Sequence, residues 1–147
     1  MSNKRKPIKD ADPKAFEAML TLEAYGRSCD IDPLLKELIK MRASQINGCA
    51  YCVDMHTEDA VKLGETARRI FALPVWHESH LFSEAERAIL QLTEEVTRIH
   101  EKGVTDATYD RVVSLFGEKT TAQVIMLIVT INAWNRIAVT SKAIYKD

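Results

Sequence analysis

Apolar residues return every three to four positions along this chain, and the spaces between them are polar or charged. Ala15, Phe16, Met19, Leu20 and Leu22 form one stripe; Leu34, Leu35, Leu38, Ile39 and Met41 form a second; Ala88, Ile89, Leu92, Val96 and Ile99 form a third. That period is the signature of helices with one buried face. Start and stop signals frame the stripes. Asp12-Pro13 and Asp32-Pro33 each pair a capping carboxylate with proline at the first helical position. Ser83-Glu84-Ala85-Glu86 and Thr120-Thr121-Ala122-Gln123 read as capping boxes. Asn47-Gly48, Leu63-Gly64, Lys102-Gly103 and Gly117 read as helix ends.

Predicted helices therefore run over 13–26, 33–46, 49–63, 65–71, 83–102, 105–116 and 120–144, with an irregular connection at 73–80. The last helix is apolar nearly all the way round, which predicts a buried central position. Its β-branched run Val124–Ile131 has no strand-period alternation to support it. The fold class expected is all-α, a bundle of about six to seven helices, in one domain over residues 1–147. About eleven residues at the N-terminus are expected to form a flexible arm.

Charge and composition narrow the function classes. A net charge of −1 gives no electrostatic case for binding nucleic acid or an anionic membrane. The longest apolar run, Val124–Val129, is far short of the roughly 20 residues a membrane span needs. Basic residues near Met1 have no apolar segment behind them, so they do not read as a secretory signal. A cytoplasmic protein is expected, with neither nucleic acid nor membrane as partner. In that reducing setting, paired cysteines are catalytic or metal-binding rather than structural.

The pairing is in Asn47-Gly48-Cys49-Ala50-Tyr51-Cys52-Val53-Asp54-Met55-His56. On a helix, positions 49, 52 and 56 share one face. Both cysteines fall in the first turn, where unpaired N–H groups and the helix dipole favour a thiolate. His56 lies one turn beyond Cys52 and can accept its proton. Residues three apart on a helix have Cα atoms about 5 Å apart, within disulfide range. A histidine base also needs a group that fixes its tautomer. If Asn47-Gly48 folds its two flanking helices into a hairpin, Glu37 comes level with His56 to within about a turn. A solvated partnership of Glu37 with Lys40 or Arg42 is the plainer alternative.

Glu37, eleven residues, Cys49-Ala50-Tyr51-Cys52, three residues and His56 together resemble the alkylhydroperoxidase AhpD-like core of the carboxymuconolactone decarboxylase family. Leu81–Ala88 and Thr130–Arg136 resemble later parts of its members. The resemblance implies an all-helical fold, homo-oligomers (commonly trimers or hexamers), and thiol peroxidase activity toward hydroperoxides with Cys49, Cys52, His56 and Glu37 in the site. One position departs from it: the best-known peroxidases carry histidine where this chain has Tyr51. The expected partners are a hydroperoxide substrate and a dithiol electron donor whose identity the sequence leaves open, with no cofactor and no metal. Cys52 is expected to attack and Cys49, nearer the turn and more approachable, to resolve.

Two rival readings use the same residues. The disulfide could serve a non-catalytic redox sensor or an oligomeric binding module. Cys49, Cys52 and His56 could instead hold zinc with His77 or His80, although three ligands crowded on two helical turns make a poor structural site. Asn132, Trp134, Asn135 and Arg136 interrupt the last apolar helix. They read equally as internal hydrogen-bonding groups or as a wall of the site or of a subunit interface.

Overall fold

A computed structural model describes residues 5–145, and every regular element among them is helical. The order is α1 (Ile8–Ala11), α2 (Pro13–Ser28), α3 (Pro33–Asn47), α4 (Ala50–Lys62), α5 (Ala67–Ala72), a 3-10 segment (Leu73–Glu78), α6 (Glu84–Thr97), α7 (Ile99–Lys102) and α8 (Asp106–Ser141). Part of the expected N-terminal arm, residues 1–4, lies outside the described residues, and Ile8–Ala11 forms one helical turn.

The caps act as the sequence predicts at most ends. Asp12 accepts from the backbone N–H groups of Lys14 and Ala15, and Asp32 from those of Leu34 and Leu35. Ser83 and Glu86 close a reciprocal capping box. The box expected at Thr120 does not form. Gly117 breaks α8 with φ 82° and ψ 165°, the helix resumes directly, and the Thr121 hydroxyl donates back to the Gly117 carbonyl at 2.8 Å. The glycine does the work assigned to the threonine, because it adopts the positive φ that interrupts the helix at no steric cost.

α3, α6 and α8 pack together as the centre of the bundle. Ile39, Ile89, Leu92, Val124 and Ile128 meet there, while Leu38, Met41, Leu73, Trp76 and Leu90 fill a second cluster under the 3-10 segment. The prediction of an all-round buried last helix needs correction. α8 is long and apolar enough by length and composition to cross a bilayer, yet only 28% of its most apolar window is buried. Val129 and Val139 remain exposed because the neighbouring helices cover one side only.

Two polar networks fix how these helices sit. Asn47 donates to Asn132 and Asn135, each at 2.9 Å, Asn135 donates to Ser44 at 2.9 Å, and Asn132 donates to Thr97 at 3.1 Å. In the other network, Arg42 and Trp76 both donate to Glu94 Oε1 at 2.8 Å, with His77 on the second oxygen at 3.2 Å. Burial alone would push the Glu94 carboxyl up; the donors from Trp76, Arg42 and His77 outweigh it and hold the group below its usual range. Arg42 is thereby committed to Glu94, away from Glu37.

Asn135 is fully buried, so its loss strands partners that water cannot reach. Asn135→Ala is expected to cost about 1–3 kcal/mol, read as a lower urea midpoint with an unchanged denaturant slope.

Candidate active site

The site begins at the turn between α3 and α4. Gly48 adopts φ 66° and ψ 33°, a left-handed cap that closes α3, and Cys49 follows as the N-cap of α4. Its sulfur accepts from the Cys52 N–H at 3.3 Å. Cys49 and Cys52 are joined as a disulfide, with their Cα atoms 5.3 Å apart. The cysteine pair therefore lies at the positive end of the α4 dipole, in a place suited to a thiolate after reduction.

Across the hairpin, Glu37 and His56 do meet. His56 Nδ1 donates to Glu37 Oε2 at 2.9 Å, and both side chains are buried. A carboxylate only accepts, so this bond places hydrogen on Nδ1 and leaves Nε2 of the neutral ring as an acceptor. Lys40 holds the other carboxylate oxygen at 3.4 Å. Burial pushes the Glu37 carboxyl up, but His56 and Lys40 more than reverse that, and the group stays ionised below its ordinary value. Glu37 thus meets His56 and Lys40 together, but the solvated partnership read from the sequence as the plainer alternative does not form, because the carboxylate is buried and Arg42 is held by Glu94.

No hydrogen bond joins His56 to either sulfur in this oxidised state. Nε2 has no protein partner among the described residues, and none of their unpartnered side-chain N or O atoms is sealed from solvent. The ring therefore keeps contact with a crevice of about 10 Å³, bounded by Glu23, Gly26, Lys40, Leu127, Thr130, Ile131 and Trp134. That is space for roughly one water.

The cysteines are covered on another side. Ala138 and Tyr51 pack on them. Tyr145 meets the Tyr51 ring edge-on at 5.5 Å and donates to Glu58 at 2.8 Å. The hydrogen bond to the Glu58 carboxylate pushes the Tyr145 hydroxyl up to about 12. The expectation that Cys49 is the more approachable sulfur is not met: Cys49 is 1% exposed and Cys52 2%, because this cover extends over both.

The zinc arrangement does not assemble. His77 lies on Glu94 and stacks on Trp76, and the cysteines are joined to each other. Among the described residues, Glu37, His56 and Asp59 are the group whose donor atoms come within 4.8 Å of one another. Lys40 already neutralises its central carboxylate, which makes this a poor cation site. Of the four residues interrupting α8, Asn132 and Asn135 serve the internal network. Trp134 walls the crevice, and Arg136 lies exposed beside Asn132. Glu23, which accepts from Trp134 at 2.9 Å, carried no signal in the sequence.

Residues 13–95 match the carboxymuconolactone decarboxylase family. The chain belongs to that family. Within it, the chain is similar to the uncharacterized protein YdfG of Bacillus subtilis, with 42% identity over 127 residues and 86% of each chain covered. A solved structure from Agrobacterium tumefaciens, a protein of unknown function linked by name to the antioxidant defence protein AhpD, matches with TM-score 0.94 and 36% identity over 99% of both chains. The debrominase Bmp8 shares the fold, with TM-score 0.80 and 20% identity, over 93% of this chain and 74% of its own. The AhpD-like all-helical fold is thus shared with a debrominase, so fold alone does not name the reaction and the chemistry of this family member has to be argued from its own site.

Glu37→Gln keeps an acceptor for His56 but removes the charge that stabilises an imidazolium. After reduction, iodoacetamide alkylation of the cysteines at pH 7 is expected to slow roughly tenfold, equivalent to about 1.4 kcal/mol, with the rate profile displaced to higher pH across pH 5–9. An unchanged profile would leave Glu37 as a structural charge only.

Proposed function

We propose that the protein is a thiol-dependent peroxidase that reduces hydroperoxides with the Cys49–Cys52 pair. The observation that carries this reading is the buried Glu37–His56 bond beside a disulfide at a helix N-terminus. Membership of a family with an AhpD-linked relative supports an antioxidant role.

In the proposed cycle, His56 Nε2 takes the Cys52 proton as the pair comes into play in its reduced form. The thiolate sulfur attacks one peroxide oxygen, an S–O bond forms, and the O–O bond breaks. The other oxygen leaves as alcohol or water, carrying the proton from His56. Cys49 then attacks the Cys52 sulfenic acid, water departs, and the disulfide returns. A dithiol donor reopens it by two thiol–disulfide exchanges and is itself oxidised to a disulfide. Cys52 is assigned the attack because it lies one helical turn from His56, while Cys49 lies two turns away.

A second reading, a redox sensor without turnover, draws on the near-complete burial of both sulfurs. Catalytic turnover separates the two. With a dithiol donor supplied, an enzyme consumes many equivalents of peroxide, whereas a sensor stops after one. In the Cys49→Ser protein, one equivalent of peroxide is expected to be consumed, leaving a trappable sulfenic acid at Cys52. Cys52→Ser is expected to react slowly and stay mostly reduced. A sulfenic acid trapped at Cys49 instead would reverse the two roles.

The protein is also proposed to form a homo-oligomer, a trimer or hexamer. Support comes from the exposed apolar side of α8 and from Leu20 and Tyr25 on α2. Sedimentation at micromolar concentration is expected to give a species several times the 16.6 kDa chain mass; a monomer alone would remove the claim.

A further inference from the structure

The cover over Cys49 and Cys52 has a fixed half and a movable half. Ala138 and Tyr51 pack on the pair. Ala138 belongs to α8, which Asn132 and Asn135 tie to α3, so it cannot leave without parting the bundle. Tyr51 is half-buried in the first turn of α4, and a change of side-chain rotamer is enough to uncover what lies beneath it.

The segment after α8 holds that ring in place. The helix ends at Lys142 in a left-handed conformation, φ 54° and ψ 44°, and the Ala143 N–H donates to the Ala138 carbonyl at 2.9 Å. Lys142, Ala143 and Ile144 are exposed, whereas Tyr145 is half-buried again. Its ring meets Tyr51 edge-on at 5.5 Å, and its hydroxyl donates to Glu58 Oε2 at 2.8 Å. Lys62 holds Glu58 Oε1 at 2.6 Å, which aims the carboxylate. Tyr51, Glu58 and Lys62 share one face of α4, with Glu58 about two turns beyond Tyr51. Tyr145 thus lies along that face, its ring against Tyr51 and its hydroxyl on a charge-assisted bond further down.

We propose that Tyr145 is a positioning residue that straps Tyr51 over the disulfide, so that an external dithiol reaches a sulfur only while the strap is lifted. This gating rests on the reading above, in which a dithiol donor reopens the pair. A donor thiolate attacks one sulfur, the S–S bond breaks, and the other cysteine leaves as thiolate. The donor's second thiol then displaces the first cysteine, and the donor departs as a disulfide with its two electrons left on the pair. The first attack needs a reachable sulfur, and neither is more than 2% exposed. A tail fastened through one half-buried side chain opens locally, without unfolding the bundle.

The test uses the full chain in its oxidised form. Reduction by excess dithiothreitol is followed by quenched counting of the Cys49 and Cys52 thiols. Tyr145→Phe keeps the ring and loses the bond to Glu58, and is expected to be reduced about tenfold faster than the native protein, as loss of a hydrogen bond to a charged group allows. Tyr145→Ala, which also loses the ring contact, is expected to be faster still. Glu58→Ala is expected to match Tyr145→Phe, and the double variant to be no faster than either, because both remove the same bond. Glu58→Gln, whose amide oxygen still accepts from the hydroxyl, is expected to keep the native rate. Native rates in both Tyr145 variants overturn the proposal. So does an acceleration matched by a fall in the urea midpoint, which marks global rather than local opening. Glu58→Gln as fast as Glu58→Ala also counts against it, since lost charge alone then accounts for the gain. Reduction is read without peroxide, so a protein that never consumes peroxide still tests the strap. Unchanged variants of a protein that does turn over remove the strap and leave the peroxidase reading standing.

Discussion

At Gly48, with φ 66°, the chain leaves α3 and turns back as α4, and four features of the site depend on that single reversal. It sets the register that brings Glu37 level with His56. It frees the N-terminal N–H groups of α4 beside Cys49 and Cys52. It leaves Asn47 at the end of α3, where its amide reaches Asn132 and Asn135 on α8. Those bonds in turn fix the depth of α8, and so the positions of Trp134 against His56 and of Ala138 against the cysteines. Nothing lies within 4 Å of a Cβ added at Gly48, so the demand for glycine there is one of backbone conformation rather than space.

Within that frame, polar groups give the bundle a unique register. Apolar helix faces tolerate sliding, since most of their contacts are interchangeable; buried amides do not, because a displaced donor forfeits its partner. Ser44, Asn47, Asn135 and Asn132 tie α3 to α8, and Thr97 extends the tie to α6. Glu94 links α3, the 3-10 segment and α6 through Arg42 and Trp76. The first network joins α3 to α8, two of the helices that bound the crevice beside His56, at the end of α3 from which the cysteine helix departs.

The division between what the sequence disclosed and what it hid follows from distance along the chain. Caps at Asp12, Asp32 and Ser83 depend on neighbours within three residues, and these formed as their residue types require. The Glu37–His56 meeting spans 19 residues, yet counting rise per residue across one tight turn was enough to bring it within reach. Pairs such as Trp134–Glu23, separated by 111 positions, and Arg42–Glu94, separated by 52, depend on how whole helices cross. Helical periodicity says which face is buried, not which residue it meets. The same gap explains α8, whose composition reads as buried all round while its partners cover only one side. At Thr120 two local signals competed, and the backbone freedom of Gly117 prevailed over a weaker side-chain cap.

The paired holds on Glu37 bear on why such a site can work in so buried a place. A carboxylate taken out of water is costly unless its charge is answered, and breaking a buried ion pair costs about 3–5 kcal/mol. In the proposed cycle His56 gains a proton and loses it again. Were His56 the only partner, Glu37 would be left buried and uncompensated each time the imidazolium gave up its charge. Lys40, on the second oxygen at 3.4 Å, keeps a positive group in contact through both halves of the cycle. Neutral His56 then still donates from Nδ1, so the tautomer does not change when the charge does. With Nδ1 fixed in this way, the proton that moves in the proposed cycle is the one on Nε2, the ring nitrogen that Glu37 leaves free.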